Sequence, residues 1–264
     1  MTRSLRNLFM GLVVLFMALP LVVVAGVSLN GGQQLLFPPR NPSLRWYAEL
    51  FIAQDWLNAL TNSLIIAISS AALALAIAFP LAWFVWRYRT GYGRLLYGLG
   101  IAPFTLPPVI TALGFLVFWT AAGWHGSIVA TIVSHAVFLV TLPLVTISLG
   151  LAAIDRQVIE AATTMGADEA TVFRTVVLPL VRPYLISSYA FVFVLSLNEY
   201  IVAYMVAGFT VETLPIKIFN SLRYGYTPVM GVVAVVFVLL AALIFGLIAR
   251  FGDLPKLLGA WSKE

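Results

Sequence analysis

Six long apolar runs constrain this chain more than any other feature. They cover residues 8–29, 59–83, 95–119, 126–151, 184–207 and 231–249, and are numbered below as spans one to six. A helix of about 20 apolar residues crosses the hydrocarbon core of a bilayer. With 62% hydrophobic and 9% charged residues, the chain also departs from the composition of soluble domains. We therefore predict an all-α membrane protein with six transmembrane helices.

The basic residues lie between the spans and predict the orientation of the chain. With the N-terminus inside, 11 of the 15 lysines and arginines lie on one side of the membrane and 4 on the other. Because basic loops stay in the cytoplasm, we predict a multi-pass protein of the bacterial cytoplasmic (inner) membrane with both termini cytoplasmic. Span one could be a signal peptide, but its length and the absence of an A-x-A site favour an uncleaved anchor. The scattered basic residues predict no nucleic-acid partner.

Prolines in span three and polar residues in span two predict a bend and a helix cap. Pro103, Pro107 and Pro108 interrupt span three, and proline bends a helix. We favour a structural kink there, with a hinge beside a translocation path as the alternative. Asn62 and Ser63 stand near the start of span two, where we expect them to cap the helix.

The connection between spans four and five, residues 152–183, combines charge with a helical rhythm of apolar residues. The spacing predicts one helical face formed by Ile154, Val158, Ala161 and Met165. Gly166 would end this first helix, and Asp168 would cap a second. Pro179 would lie near the end of the second helix, and Pro183 would precede span five. We expect an apolar stripe to rest on the bundle and the other side to meet a soluble partner, unless the segment is only a linker at the membrane surface.

The same connection carries a recognisable motif. Glu160-Ala161-Ala162, three residues, Gly166, nine residues and then Val176-Val177-Leu178-Pro179 resemble the EAA loop of binding-protein-dependent ABC importer permeases, E-A-A-x3-G-x9-I-x-L-P. The resemblance implies a cytoplasmic coupling helix between spans four and five, seated in a cleft of an ATPase subunit. It also implies that Glu160 pairs with a basic group there, that Ala161 and Ala162 permit close approach, and that Gly166 sets the bend. Leu178 and Pro179 complete the motif.

This resemblance implies a set of partner proteins and a separate role for each of them. A second permease subunit, two ATPase subunits and an extracytoplasmic solute-binding protein would complete the importer within the lipid bilayer. The chain has no P-loop sequence, so we expect partner ATPases to bind ATP and Mg, and no cofactor, metal or catalytic residue in this chain. We divide it into an N-terminal anchor helix and external loop (1–58), a permease core (59–250) and a cytoplasmic tail (251–264). The external segments 30–58 and 208–230 are candidate docking surfaces for the binding protein.

The solute is predicted from a second resemblance. Residues 196–200, 213–218 and 224–228 are similar to the second permease subunit of spermidine/putrescine importers, which implies a polyamine. Permeases for ferric ion, aminoethylphosphonate or amino acids remain alternatives. Asn198, Glu199 and Tyr200 are candidate residues of the substrate path, because a carboxylate within a span is costly and functional by default. The alternative is a structural glutamate, hydrogen-bonded at an interface or partly in water.

Two other classes of membrane protein compete with this interpretation. An ion-coupled secondary transporter would need discontinuous spans in inverted pairs and more polar groups within the spans, whereas only span three looks broken in the sequence. A structural membrane protein would need no docking loop of this form. We assign no role to His125, in an external turn, or to His135, within span four.

Overall fold

The structure is a computed structural model that describes residues 3–251 of the 264-residue chain. Across that range it comprises thirteen α-helices and one π-helical turn. The helices are α1 Arg3–Ser28, α2 Arg45–Ile52, α3 Gln54–Tyr88, α4 Gly91–Thr105, α5 Pro108–Ala121, α6 Ile128–Leu139, α7 Thr141–Ala152, α8 Arg156–Thr164, α9 Glu169–Val172, α10 Leu178–Asn198, α11 Ile201–Ala207, α12 Leu214–Tyr224 and α13 Val229–Phe251. The predicted cytoplasmic tail beyond Phe251 lies outside the described residues.

The membrane-spanning helices agree with the six predicted spans. Helices α1, α3 and α13 and the continuous run Glu169–Asn198 are each long and apolar enough to cross a bilayer. Two bent helix pairs are together long and apolar enough for a span: the chain bends by 107° between α4 and α5, and by 44° between α6 and α7. Counting each pair as one span gives six crossings, as the sequence predicted.

Span five differs from its predicted form. The run Glu169–Asn198 is helical throughout, with a π-helical turn at Phe173–Val177. The predictions that Pro179 lies near the end of a separate second helix and that Pro183 precedes span five are therefore wrong. Pro179 lies in the first turn of α10, and Pro183 lies inside α10. A proline in the first turn of a helix leaves no backbone donor unpaired. The π-helical turn just before α10 also shifts the backbone hydrogen-bond pattern there. The break in this span comes later, between α10 and α11.

The predicted cap of span two is also wrong. Helix α3 begins at Gln54, so Asn62 and Ser63 lie inside it. The Asn62 side-chain amide donates to the carbonyl of Glu212 at 3.0 Å, and the Ser63 hydroxyl accepts from the backbone N–H of Leu214 at 2.8 Å. These residues hold the start of α12 against α3, a long-range role that local sequence cannot indicate.

Small residues bring the spans together along α3. Five alanines at helical spacing lie fully or almost fully buried on one side of this helix: Ala67, Ala71, Ala74, Ala78 and Ala82. Alanine lets backbones approach closely, which is how helices associate in a membrane. With 35 residues, α3 is roughly 50 Å long at 1.5 Å per residue. Its first end contacts α2 and α12. Its other end forms an ion pair with α9 through Arg87 and lines a cleft together with α8. These are called below the α2 end and the α8 end.

A cluster of buried side chains fastens the 152–183 connection to the spans at the α8 end. This cluster, called the α8-end core, contains Ala78, Ala82, Val140, Leu144, Ile147, Leu151, Ile154, Ala162, Val172, Val177 and Val181. It joins α3, α7, α8, α9 and α10. Displacement of α8 would therefore act directly on spans two, four and five.

Candidate functional site

The 152–183 connection forms two short helices with capped ends. The Asp155 carboxylate accepts from the backbone N–H of Gln157 at 2.9 Å and caps α8. The Asp168 carboxylate accepts from the backbone N–H of Thr171 at 2.9 Å and caps α9. Hydrogen bonding by Thr171, through its side chain and its backbone, lowers the pKa of Asp168 below its ordinary value. The predicted first helix and the predicted cap at Asp168 are present, whereas the second predicted helix is the start of the continuous run Glu169–Asn198.

Gly166 lies between these helices in a left-handed conformation, with φ of +90°. Its N–H donates to the carbonyl of Thr163 at 2.9 Å. A Cβ at this position would meet no atom within 4 Å. The backbone conformation alone therefore favours glycine here, in agreement with the predicted bend.

The predicted apolar face of α8 is mostly exposed, and the helix packs through the neighbouring Ala162 instead. Ala162 is 8% exposed and packs in the α8-end core. Of the predicted apolar face, Ile154 is buried, but Val158 is 47% exposed, Met165 is 83% exposed and Ala161 is also exposed. The stripe formed by Val158, Ala161 and Met165 is thus left exposed.

A cleft of about 620 Å³ lies between α8, α9 and the end of α3. Its charged lining residues are Arg87, Arg89, Arg156, Glu160, Asp168 and Glu169. Arg87 forms an ion pair with Glu169, which ties α3 to the start of span five. Trp83, also in the wall, meets the Phe173 ring edge-on with 4.9 Å between ring centroids. Glu160 is exposed, so its carboxylate is available at this cleft.

The last two motif residues lie on a different element from α8. Leu178 and Pro179 form the first turn of α10, where Leu178 is half-buried and Pro179 is exposed. The neighbouring Val177 and Val181 are fully buried in the α8-end core. The structure therefore separates the motif into an exposed α8 and a turn anchored in the bundle.

The second group of predicted site residues lies at the break in span five. Glu199 separates α10 from α11 in an extended conformation. Asn198 is exposed, and its side-chain amide donates to the Val194 carbonyl at 2.8 Å. Asn198 and Tyr200 line a cavity of about 460 Å³, whereas Glu199 does not. Of the three residues that the sequence predicted for the substrate path, Asn198 and Tyr200 thus reach the cavity and Glu199 does not.

Aromatic and aliphatic side chains dominate this cavity. Its lining residues are Asn198, Tyr200, Pro215, Ile218, Phe219, Leu222, Ala234, Phe237, Val238 and Ala241. The Tyr200 ring lies 4.7 Å from the Phe219 ring and 5.4 Å from the Tyr204 ring, measured between centroids. Among the described residues that line the cavity, none carries a carboxylate.

The Glu199 carboxylate is directed into the protein. It accepts from the backbone N–H groups of Val202 and Ala203, each at 2.9 Å, and lies 3.3 Å from Nε2 of His135. Sequence reasoning assigned no role to His135. The available signal was that spans four and five each contain a single ionisable residue, since such residues pair with one another in membranes.

An ion cluster at the α2 end holds α12 against α3. The Lys217 ammonium lies 2.9 Å from the Asp55 carboxylate and 3.2 Å from that of Glu212, and 5.2 Å from the Trp56 ring centroid. Burial lowers the pKa of Lys217, but hydrogen bonds to both carboxylates raise it, and the net result lies above the ordinary value. Since α12 contributes Pro215 and Phe219 to the cavity, this cluster also fixes one cavity wall.

Comparison with known proteins identifies the family. The sequence model described as "Binding-protein-dependent transport system inner membrane component" matches residues 76–253. The chain belongs to this family. A putrescine transport system permease protein, PotI of Escherichia coli K12, is 31% identical over 243 residues, which cover 89% of this chain and 86% of the relative. A spermidine/putrescine transport system permease protein, PotC of Haemophilus influenzae, is 28% identical over 237 residues, or 90% and 92% of the two chains.

Solved structures of ABC importers share the fold of this permease. A chain of a bacterial ABC transporter that imports alginate superposes with a TM-score of 0.71 at 14% identity, covering 95% of this chain and 98% of that one. A chain of the MetNI methionine ABC transporter in an inward-facing conformation gives 0.65 at 20% identity, covering 76% and 96%.

Family membership decides between the competing classes of membrane protein. The chain is a multi-pass inner-membrane transport permease subunit of an ABC importer, and the ATPase is a separate partner. An ion-coupled secondary transporter is thereby set aside. The expectation that only span three is broken was nevertheless wrong, because α6 and α7 and also α10 and α11 are interrupted.

Proposed function

We propose that this permease moves a polyamine across the membrane and that α8 is the element through which partner ATPases drive it. The observation that carries the coupling proposal is the apolar stripe of Val158, Ala161 and Met165, which is exposed on a helix rigidly joined to three spans. Exposed apolar patches outside a membrane mark interaction sites. Methionine suits such a surface because its flexible side chain adapts to a partner.

The position of the stripe favours a protein partner over lipid. A linker helix lying on the membrane surface would turn its apolar side toward the bilayer. Here α8 packs on the spans through Ala162, whereas Val158, Ala161 and Met165 remain exposed beside it, so the stripe is not the surface that contacts the spans. An ATPase cleft would cover the stripe, and Glu160 at the neighbouring charged cleft would pair with a basic side chain of that subunit.

The path of coupling follows from the packing. Ala162 on α8 shares the α8-end core with Leu151 on α7 and Val177 at the start of span five. The helix then continues without a break from Glu169 to Asn198, where the cavity begins. Motion of α8 would thus move span five as a rigid element and reorient the cavity, as alternating access requires.

The solute proposal combines the relatives' names with the cavity lining. Permeases of spermidine and putrescine systems are similar to this chain over about nine-tenths of its length. The cavity lining includes the aromatic rings of Tyr200 and Phe219, a side-chain type that attracts ammonium groups, and its aliphatic residues suit the methylene segments of a polyamine. Ferric ion is less well accommodated, because the described residues contain no group of three or more His, Asp or Glu side chains able to hold a metal ion.

The remaining partners and the orientation follow from this arrangement. Two ATPase subunits that bind ATP and Mg would dock at α8 here and on a second permease subunit. A solute-binding protein would approach segments 30–58 and 208–230, which lie toward the α2 end. With the α8 end cytoplasmic, both termini would also be cytoplasmic. The division into anchor, permease core and tail remains part of this proposal.

The experiment compares wild-type permease with Gly166→Pro in membranes that contain the ATPase and binding-protein partners. Proline fixes φ near −65°, which is incompatible with +90°, and removes the N–H that bonds Thr163. We expect the variant to lose ATPase co-purification and ATP-dependent uptake of putrescine. Retained docking and uptake would contradict the coupling role, and uptake of ferric ion or aminoethylphosphonate in place of putrescine would contradict the solute.

A second experiment tests the orientation. Because the chain contains no cysteine, Glu160→Cys introduces a single reactive thiol. A membrane-impermeant thiol reagent should label it in inside-out vesicles and leave it unlabelled in intact cells. Labelling in intact cells would place α8 outside and overturn the proposal.

A further inference from the structure

The two ionisable residues within spans four and five meet inside the bundle. His135 lies on α6 and Glu199 lies at the break between α10 and α11, and their side chains are 1% and 9% exposed. The carboxylate oxygen Oε2 lies 3.3 Å from Nε2 of the imidazole. A charge inside a membrane protein is tolerated only where such partners replace water.

Each of the two side chains also binds backbone or side-chain groups of span five. His135 Nδ1 lies 2.8 Å from the Ser196 hydroxyl on α10. The Glu199 carboxylate accepts from the N–H groups of Val202 and Ala203 in the first turn of α11. A helix N-terminus leaves these donors unpaired and favours a negative charge. The pair therefore connects α6, the end of α10 and the start of α11 at one point.

In the described part of the chain, protein groups surround the polar atoms of both side chains. Nε2 of His135 is buried and forms no hydrogen bond of good geometry, so Glu199 is its polar neighbour. Both Glu199 oxygens are engaged by protein atoms, and the residue does not line the cavity. The flanking Asn198 and Tyr200 do line it. Because Glu199 is extended while its neighbours end and begin helices, fixing this residue fixes the direction of both.

We propose that His135 and Glu199 are a positioning pair that sets the break in span five and turns Asn198 and Tyr200 into the cavity. Glu199 then serves transport through this geometry and not by touching the solute. This inference rests on the proposed function in one respect, namely that the cavity is part of the solute path. His135 is the added functional residue, acting through Glu199 and Ser196.

Thiol labelling measures the position of Asn198 directly. Asn198→Cys is introduced as the single cysteine of the chain, in the reconstituted importer with its ATPase subunits, and its rate of reaction with a water-soluble thiol reagent is measured. Adding His135→Ala or Glu199→Ala should change that rate by about tenfold, the scale of coupling between contacting residues. Ala241→Cys on α13 faces the same cavity and is the matched control, whose rate should stay constant. An unchanged rate at position 198 in both backgrounds would overturn the proposal.

Uptake kinetics separate positioning from solute contact. If the pair acts as a unit, His135→Ala and Glu199→Ala each lower the maximal rate of putrescine uptake, and the double variant is no slower than the slower single variant. If Glu199 instead binds the solute, its loss raises KM, whereas His135→Ala frees the carboxylate and does not. Multiplicative effects, or a KM change confined to Glu199→Ala, would refute the positioning role.

Separate controls distinguish failure of a variant to fold from failure of the proposed function. If an alanine variant fails to accumulate in the membrane, His135→Gln or Glu199→Gln, which are closer in size, replaces it in the same comparisons. Failure of the wild-type importer to take up putrescine would contradict the proposed solute. The labelling comparison requires no solute, so it would still test the pair.

Discussion

The bend at Gly166 offers the sharpest quantitative test of the coupling proposal. Its φ is +90°, and a Cβ there would touch nothing within 4 Å. Gly166→Ala therefore changes only the backbone preference and creates no steric clash. A non-glycine residue in the left-handed region is disfavoured by about 1–2 kcal/mol, whereas asparagine tolerates that region better than most residues.

This backbone strain predicts how much each substitution weakens binding of the ATPase subunit. If α8 must be bent in this way to dock, 1–2 kcal/mol weakens ATPase binding by about 5- to 30-fold. Gly166→Asn should weaken it less, and Gly166→Val should weaken it at least as much as alanine, because a β-branched residue is a greater outlier at positive φ. The order of affinities is therefore glycine, asparagine, alanine, valine.

The assay is titration of the purified ATPase subunit onto permease reconstituted in nanodiscs, together with the ATPase rate stimulated by the loaded binding protein. Gly98→Ala is the matched control, because Gly98 lies within helix α4, where an added Cβ also meets nothing within 4 Å. Alanine suits a helix better than glycine, so this variant should bind like wild type. Equal affinities for all four residues at position 166 would refute the argument that the bend presents α8.

Further expected outcomes concern other contacts of the chain. Ala162→Leu should overpack the α8-end core, lower the stability of the permease alone by about 1–3 kcal/mol and reduce uptake, whereas Ala161→Leu should leave thermal unfolding unchanged and weaken only ATPase binding. Lys217→Met should destabilise the α2 end by about 1 kcal/mol in thermal unfolding. The pKa of Lys217 is higher in the folded state than in the unfolded state. The stabilisation by Lys217 is therefore complete at any pH below its pKa in the unfolded state, and it is lost as pH rises through its pKa in the folded state. A loss of this stabilisation near neutral pH would contradict the prediction. Glu199→Gln should lower uptake while ATPase co-purification is retained, and unchanged putrescine uptake would count against any transport role for Glu199.

Part of the candidate site was predictable because its determinants are local. Gly166 and the cap at Asp168 concern a few consecutive residues, whose backbone preferences are readable from the sequence. The direction of the stripe at Val158 and Met165 was not predictable. Apolar spacing identifies a helical face, but the face that packs is chosen by the neighbours, and here Ala162 fits the α8-end core.

The pairing of His135 with Glu199 was likewise not predictable from the sequence. Two lone ionisable residues in separate spans were visible in the sequence, but their distance depends on how α6 packs against α10 and α11. Asn62 and Ser63, which were expected to cap a helix, instead form hydrogen bonds with residues about 150 positions away in the sequence.

The sequence alone determined six apolar runs long enough to cross a membrane, because apolar length and composition set transfer into lipid residue by residue. It also determined the bent connection between spans four and five, because glycine and capping residues act on their own backbone. Only the tertiary structure decided which face of α8 remains exposed, where span five breaks and which side chains reach the cavity. Those features depend on the complementary surfaces of helices distant in the chain, and no local preference encodes them.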